Sequence, residues 1–108
     1  MRNFRTLNIW KDGINLVKEV YGLSVLLPEK EKFGLKAQIC RASVSVPSNI
    51  AEGSSRNSET EFKRFLEIAM GSLFELETQL IIIHELCFIP EAKINEELTC
   101  SCRTKNDQ

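Results

Sequence analysis

A proline, Pro47, stands in the middle of a strict helical pattern, and few folds tolerate that. The stretch Gln38 to Arg56 reads Q-I-C-R-A-S-V-S-V-P-S-N-I-A-E-G-S-S-R. Leu35, Ile39, Ala42, Val46 and Ile50 recur at steps of three and four, which makes one apolar helix face. Gln38, Arg41, Ser45, Ser48, Glu52 and Arg56 keep the same steps on another face. Small hydroxyls occupy that polar face, where long charged side chains are usual. A helix-interior proline loses its own N–H bond and crowds the carbonyl four residues back, here that of Ser43. Against alanine it costs about 3 kcal/mol in an isolated helix. Both stripes keep phase across Pro47. The stretch therefore predicts one continuous, kinked helix supported by packing, over about residues 35–55.

The flanking segments read as helices too. Asn8 is the expected N-cap of a first helix. Its apolar positions are Trp10, Ile14, Val17, Tyr21 and Leu23 to Leu27, widened by Ile9, Leu16 and Val20, and Pro28 ends it. Pro28 to Phe33 is a polar loop, and Gly53-Ser54-Ser55 closes the second helix. Ser58 with Glu61 is a capping box for a third helix, Glu59 to Cys87. Its stripe runs Phe62, Phe65, Leu66, Ala69, Leu73, Leu76, Leu80, Ile83 and Cys87, and Ile81 and Ile82 widen it. A helix apolar on several sides must be covered on several sides, so self-association is expected. Gly71-Ser72 interrupts the helix interior, where glycine costs about 1 kcal/mol relative to alanine. Close approach of another helix backbone is the expected compensation, with Ala51 or Gly53 as small partners. Pro90 suits the first turn of a short fourth helix, with a weak stripe of Ala92, Ile94, Leu98 and Cys102. The pattern predicts an all-α, single-domain, up-down-up-down four-helix bundle spanning residues 1–108.

At 43% hydrophobic and 27% charged residues, the composition is that of an ordinary globular domain. The chain has no run of ~18 apolar residues and no secretory signal, so no membrane span is expected and the cytoplasm is the expected compartment. Net charge is −1, but residues 1–65 carry +4 and residues 66–108 carry −5. Such asymmetry fits either a basic binding surface or opposite-sign helices that attract each other.

No catalytic constellation emerges. Glu75 and Glu77 are two apart and cannot share a helix face. His84 is the sole histidine. Cys40, Cys87, Cys100 and Cys102 are expected to be reduced, and C-x-C spacing does not suit zinc. The sequence reads as non-enzymatic, without cofactor or metal.

The polar stripe of the second helix has three readings. Arg41, Asn49, Glu52 and Arg56 could pair with Glu67 or Glu75 of the third helix as a structural network. Arg41, Arg56, Lys63 and Arg64 could instead contact phosphates, with Ser54 and Ser55 donating hydrogen bonds. The third reading is a solvated face. Glu52, Glu59 and Glu61 dilute the basic patch.

Two long runs carry a resemblance: G-L-K-A-Q-I-C-R-A-S-V-S-V-P-S-N-I-A-E-G-S-S-R and E-F-K-R-F-L-E-I-A-M-G-S-L-F-E-L-E-T-Q-L, with L-N-I-W-K upstream. They resemble the four-helix bundle family named after the 23S ribosomal RNA intervening sequence. They are also similar to the accessory variability proteins of diversity-generating retroelements. The match extends to about Ile89 and weakens after Pro90. The resemblance implies barrel-shaped homopentamers and, in the retroelement branch, a reverse transcriptase partner and a basic surface suited to RNA or DNA. Arg41, Asn49, Glu52 and Arg56 match the family motif position by position, as do Gly71, Ser72, Glu75, Glu77 and Gln79. The functional expectation is a self-assembling accessory protein that binds RNA or DNA. The alternative is a homo-oligomeric, protein-binding scaffold without nucleic-acid affinity.

Overall fold

The computed structural model describes residues 2–89. Those residues form an all-α structure: α1 (Asn8–Ser24), α2 (Leu35–Ser54) and α3 (Glu59–Glu85), with 3-10 turns at Phe4–Thr6 and Glu29–Glu31. The expected fourth helix from Pro90, and the pair Cys100 and Cys102, lie outside the described residues. Among the described residues no helix is long and apolar enough to cross a membrane.

The middle helix is the organising layer. α1 and α3 each pack on α2 rather than on each other. The predicted stripe is the buried one: Ile39, Ala42, Val46 and Ile50 are all buried, and Ile39 is fully so. One core cluster joins Val20, Leu27, Ile39, Ala42, Leu76, Ile83 and Ile89. A second joins Val46, Ile50 and Ala69, with Leu7, Trp10, Leu16, Leu66 and Leu73 against it. Burying a side chain of this size contributes about 1.5–3 kcal/mol, so the α2 stripe accounts for much of the stability of so small a domain.

Pro47 lies inside the unbroken α2 and is buried. The device that supports it is on α1. A Cβ added at Gly13 would meet Pro47 Cβ at 3.1 Å and Cδ at 3.3 Å, so the α1 backbone rests directly on the proline ring. The packed face of α1 follows from this. It is Gly13, Val20 and Ser24, with Leu16 and Leu23 half-buried beside them, whereas Tyr21 is exposed. Of the expected apolar positions Leu16, Val20 and Leu23 are on this face and Ile14 and Val17 are half-buried, whereas Tyr21 is not part of it. Two of the residues that face the neighbour are too small to register in a hydrophobic pattern.

The helix ends differ instructively from expectation. Asn8 is the first residue of α1, not its cap; Leu7 holds the cap position and makes no side-chain bond. The capping asparagine is Asn3, whose side chain accepts from the Arg5 N–H at 3.1 Å in the 3-10 turn. Ser58 does cap α3, accepting from the Glu61 N–H at 3.0 Å. At the other end α3 stops at Glu85, before Pro90 can act. Phe88 N–H donates to the Ile83 carbonyl at 3.2 Å and Cys87 N–H to the His84 carbonyl at 3.1 Å. Cys87 has φ 57°, so this is a Schellman closure with cysteine at the left-handed position glycine usually fills. An L-residue there costs about 1 kcal/mol. Phe88 packs against the cluster containing Ile83, the apolar contact that accompanies this motif. Cys40 is a free, half-buried thiol, whereas Cys87 is disulfide-bonded, which corrects the expectation that it is a reduced core residue.

Candidate interaction surface

The two stripes of α2 point to different neighbours. Its apolar stripe enters the core, and one margin of its polar stripe meets α3 in a row of side-chain hydrogen bonds. Ser45 Oγ and Ser72 Oγ share a hydrogen bond of 2.8 Å across the seam. Asn49 Nδ2 donates to the Ser45 carbonyl at 2.8 Å and to its hydroxyl at 2.9 Å. One end of the row is closed by Gln79, which donates from Nε2 to Gln38 Oε1 and to Glu75 Oε2, each at 3.2 Å. Gln79 is only 6% exposed, and its Oε1 has no hydrogen-bond partner among the described residues. Small hydroxyl and amide groups at these positions join α2 to α3, with Gln79 Oε1 the exception to their bonding among the described residues.

Several expected site residues fall into this row: Asn49, Ser72 and Glu75 all take part. Gln38 was read only as a member of the polar stripe and Gln79 only through the resemblance, yet the two join the helices directly. The expected charge network is not what forms. Among the described residues Arg41 makes no ion pair, and Glu67 joins no network with it. Arg41 and Glu75 are both exposed. Glu52 pairs with Arg56 one turn on along its own strand of chain, at 3.0 Å, not with α3. Gly71 is also unlike its expectation. Among the described residues a Cβ there would meet nothing within 4 Å, so neither Ala51 nor Gly53 approaches it. The tight glycine of this seam is Gly53, where a Cβ would lie 2.6 Å from Phe65 Cβ.

The four expected phosphate ligands do not gather in one place. Arg41 lies about 20 Å along α2 from the corner that joins α2 to α3, at 1.5 Å per residue. Arg56 is at that corner, half-buried, its guanidinium 5.1 Å from the Phe65 ring centroid and its Nε buried without a partner among the described residues. Lys63 and Arg64 are exposed on the first turns of α3. The N-terminal segment joins them. Arg2 donates its backbone N–H to the Ser54 carbonyl at 3.0 Å, sets its guanidinium 3.8 Å over the Phe62 ring and pairs with Glu59. No sequence pattern pointed to Arg2, because nothing local ties it to a corner some fifty residues away. Stacked guanidinium groups are held by the ring faces beneath them and keep outward N–H groups for other acceptors.

On the far side of α3 an apolar groove runs between α1 and α3. One part, about 480 Å³, is lined by Leu16, Met70, Phe74, Leu80, Ile81 and His84. It continues through Leu16, Met70 and Leu73 into a part of about 530 Å³ against Ile9, Gly13, Val46, Ile50 and Leu66. Both flanks of α3 carry exposed hydrocarbon: Met70 (51%), Phe74 (62%) and Ile81 (55%) toward the groove, and Ile68 (45%) and Ile82 (40%) toward the seam. Among the described residues no group of three or more His, Cys, Asp or Glu is placed to hold a metal ion.

These features define a small all-α protein with an apolar groove and exposed hydrocarbon on both flanks of one helix. The family model for the 23S rRNA-intervening sequence protein matches residues 5–105. The chain belongs to that family. No curated protein matches it.

Proposed function

We propose that the chain is a non-enzymatic, self-assembling helical protein whose role is binding. The supporting observation is α3, which exposes large apolar side chains on both flanks of one helix. A monomer seldom leaves so much hydrocarbon in water on one element. In this reading the α1–α3 groove is the berth of a fourth helix, completing a bundle, and the opposite flank is left for other copies. The resemblance makes five the expected number of copies. Light scattering on the purified chain tests the assembly, with a mass several-fold the 12.3 kDa of one chain expected. A mass of one chain at every concentration would remove the reading.

A second reading concerns what the assembly binds, and the α2–α3 corner favours it. Arg2 lies over Phe62 and Arg56 over Phe65 at this corner, and Lys63 and Arg64 are exposed on the same turns of α3, so each copy carries several cations near one end. Glu52 and Glu59 neutralise two of them, which limits the affinity one copy can have and makes repetition around an assembly important. RNA or DNA is the ligand class this suits. A labelled RNA titrated at rising salt should bind more weakly as salt increases, and Arg56→Ala with Lys63→Ala should abolish binding and flatten the salt slope. No binding at low salt by the assembled protein would leave the protein scaffold as the function. A reverse transcriptase partner belongs to the same reading and is testable by co-purification.

A further inference from the structure

The cross-seam bonds set the register of α2 against α3. Gln38 meets Gln79 and Ser45 meets Ser72, so each step forward on α2 is a step back on α3. Arg41 therefore stands within one residue of the level of Glu75, and Glu52 within one residue of the level of Arg64. Along the outer side of α2 the charges read plus at Arg41 and minus at Glu52. Along the adjoining side of α3, at the same levels, they read minus at Glu75 and plus at Arg64. The two sides are opposite in sign, level by level.

We infer that a second copy of this chain lays the outer side of its α2 against this side of α3, antiparallel and in the same register, with Arg41 of one copy on Glu75 of the next. The inference rests on the self-assembly proposed above and names its contact. Any rotation axis parallel to the helices keeps the levels matched, whether it relates two copies or closes a ring. Three further observations fit the same contact. Arg41 makes no ion pair among the described residues, although it is exposed beside a carboxylate-bearing helix. Gly71 lies between the two charged levels, in the helix interior, and a Cβ there meets nothing within 4 Å among the described residues. The backbone of a neighbouring helix would use the space that Gly71 leaves open. Ile68 and Ile82, exposed on the same flank, would bury apolar surface beside the charge pairs. Glu52 already holds Arg56 at 3.0 Å, so the pair with Arg64 is a shared one and Arg41 with Glu75 is the stronger of the two.

The test is a charge exchange with the full chain, read by sedimentation at low salt and checked for helix content by circular dichroism. Arg41→Glu alone and Glu75→Arg alone should each weaken assembly at least tenfold. Mixed in equal amounts, the two variants should assemble better than either alone, because opposite charges then meet wherever unlike variants are neighbours, at every junction of an even-numbered assembly and at four of the five junctions of a ring of five. Gly71→Leu should also block assembly while leaving the helix content of the single chain intact. If the wild type assembles and the two charge variants and Gly71→Leu assemble equally well, this contact is wrong and self-assembly stands. If the mixture assembles no better than either variant alone although each is folded, the Arg41–Glu75 pair is wrong. A wild type that never assembles removes both proposals together.

Discussion

The two seams of α2 solve the same packing problem by different means. Against α1, Gly13 brings a bare backbone onto the Pro47 ring, and the contact is apolar. Against α3, Gly53 admits Phe65 at the corner, and beyond it the helices are joined by Ser45, Ser72, Gln38 and Gln79. A proline needs shape: it has no N–H to satisfy, and a flat neighbour covers it best. A half-exposed seam needs bonded polar groups, because water reaches its rim. The contrast teaches that small residues serve opposite ends here. At Gly13 and Gly53 they let two elements of the same chain touch, and at Gly71 they leave room that none of the described residues uses.

Four substitutions sharpen or break that contrast, each read as the change in unfolding free energy by urea titration of the dissociated chain. Ile39→Ala removes the fully buried centre of α2 and should cost about 2–5 kcal/mol, the cavity term included. A cost under 1 kcal/mol would mean the shared core is not where the burial places it. Gly53→Ala should lose about 1–2 kcal/mol, because crowding against Phe65 outweighs the better helix propensity of alanine. A gain would show that the corner can open at little cost. Ser45→Ala strips a partner from both Asn49 and Ser72 and should cost about 1 kcal/mol. Thermal unfolding unchanged by it would reduce the polar row to ornament. Gly71→Ala carries the opposite sign: open space and an improved helix interior should stabilise the single chain by about 0.5–1 kcal/mol. Destabilisation at Gly71 in the dissociated chain would mean that its space is filled within one copy.

Much of this architecture was legible in the residues. The α2 stripe and the Ser58 cap follow from local periodicity and local bonding, and both fall where the pattern puts them. The unbroken run through Pro47 was legible as well, since phase is kept on both sides of it. Its cause was not, because Gly13 is remote in sequence and a glycine leaves no apolar signal. The C-terminal end of α3 was misplaced for a related reason. A Schellman turn is recognised by glycine, and here Cys87 adopts the left-handed conformation instead. In the candidate site, Asn49 and Glu75 follow from the expected polar network between α2 and α3, and Ser72 from the Gly71-Ser72 interruption and the resemblance. Their partners were not legible, because spacing assigns a residue to a face and leaves the register between two helices open. Arg41 shows the same limit: its face was right and its expected partner within the chain was not found. Arg2 reaches its corner only through tertiary contacts.

The central claim is that the seam flank of α3 is covered by another copy. Hydroxyl-radical footprinting at low and high protein concentration measures that cover side chain by side chain. Ile68 and Ile82 should lose labelling as concentration rises, while Phe33 and Val25, exposed at 89% and 70% in the connection between α1 and α2, should keep it. Labelling of Ile68 and Ile82 that stays as high as that of Phe33 and Val25 at every concentration would contradict the account.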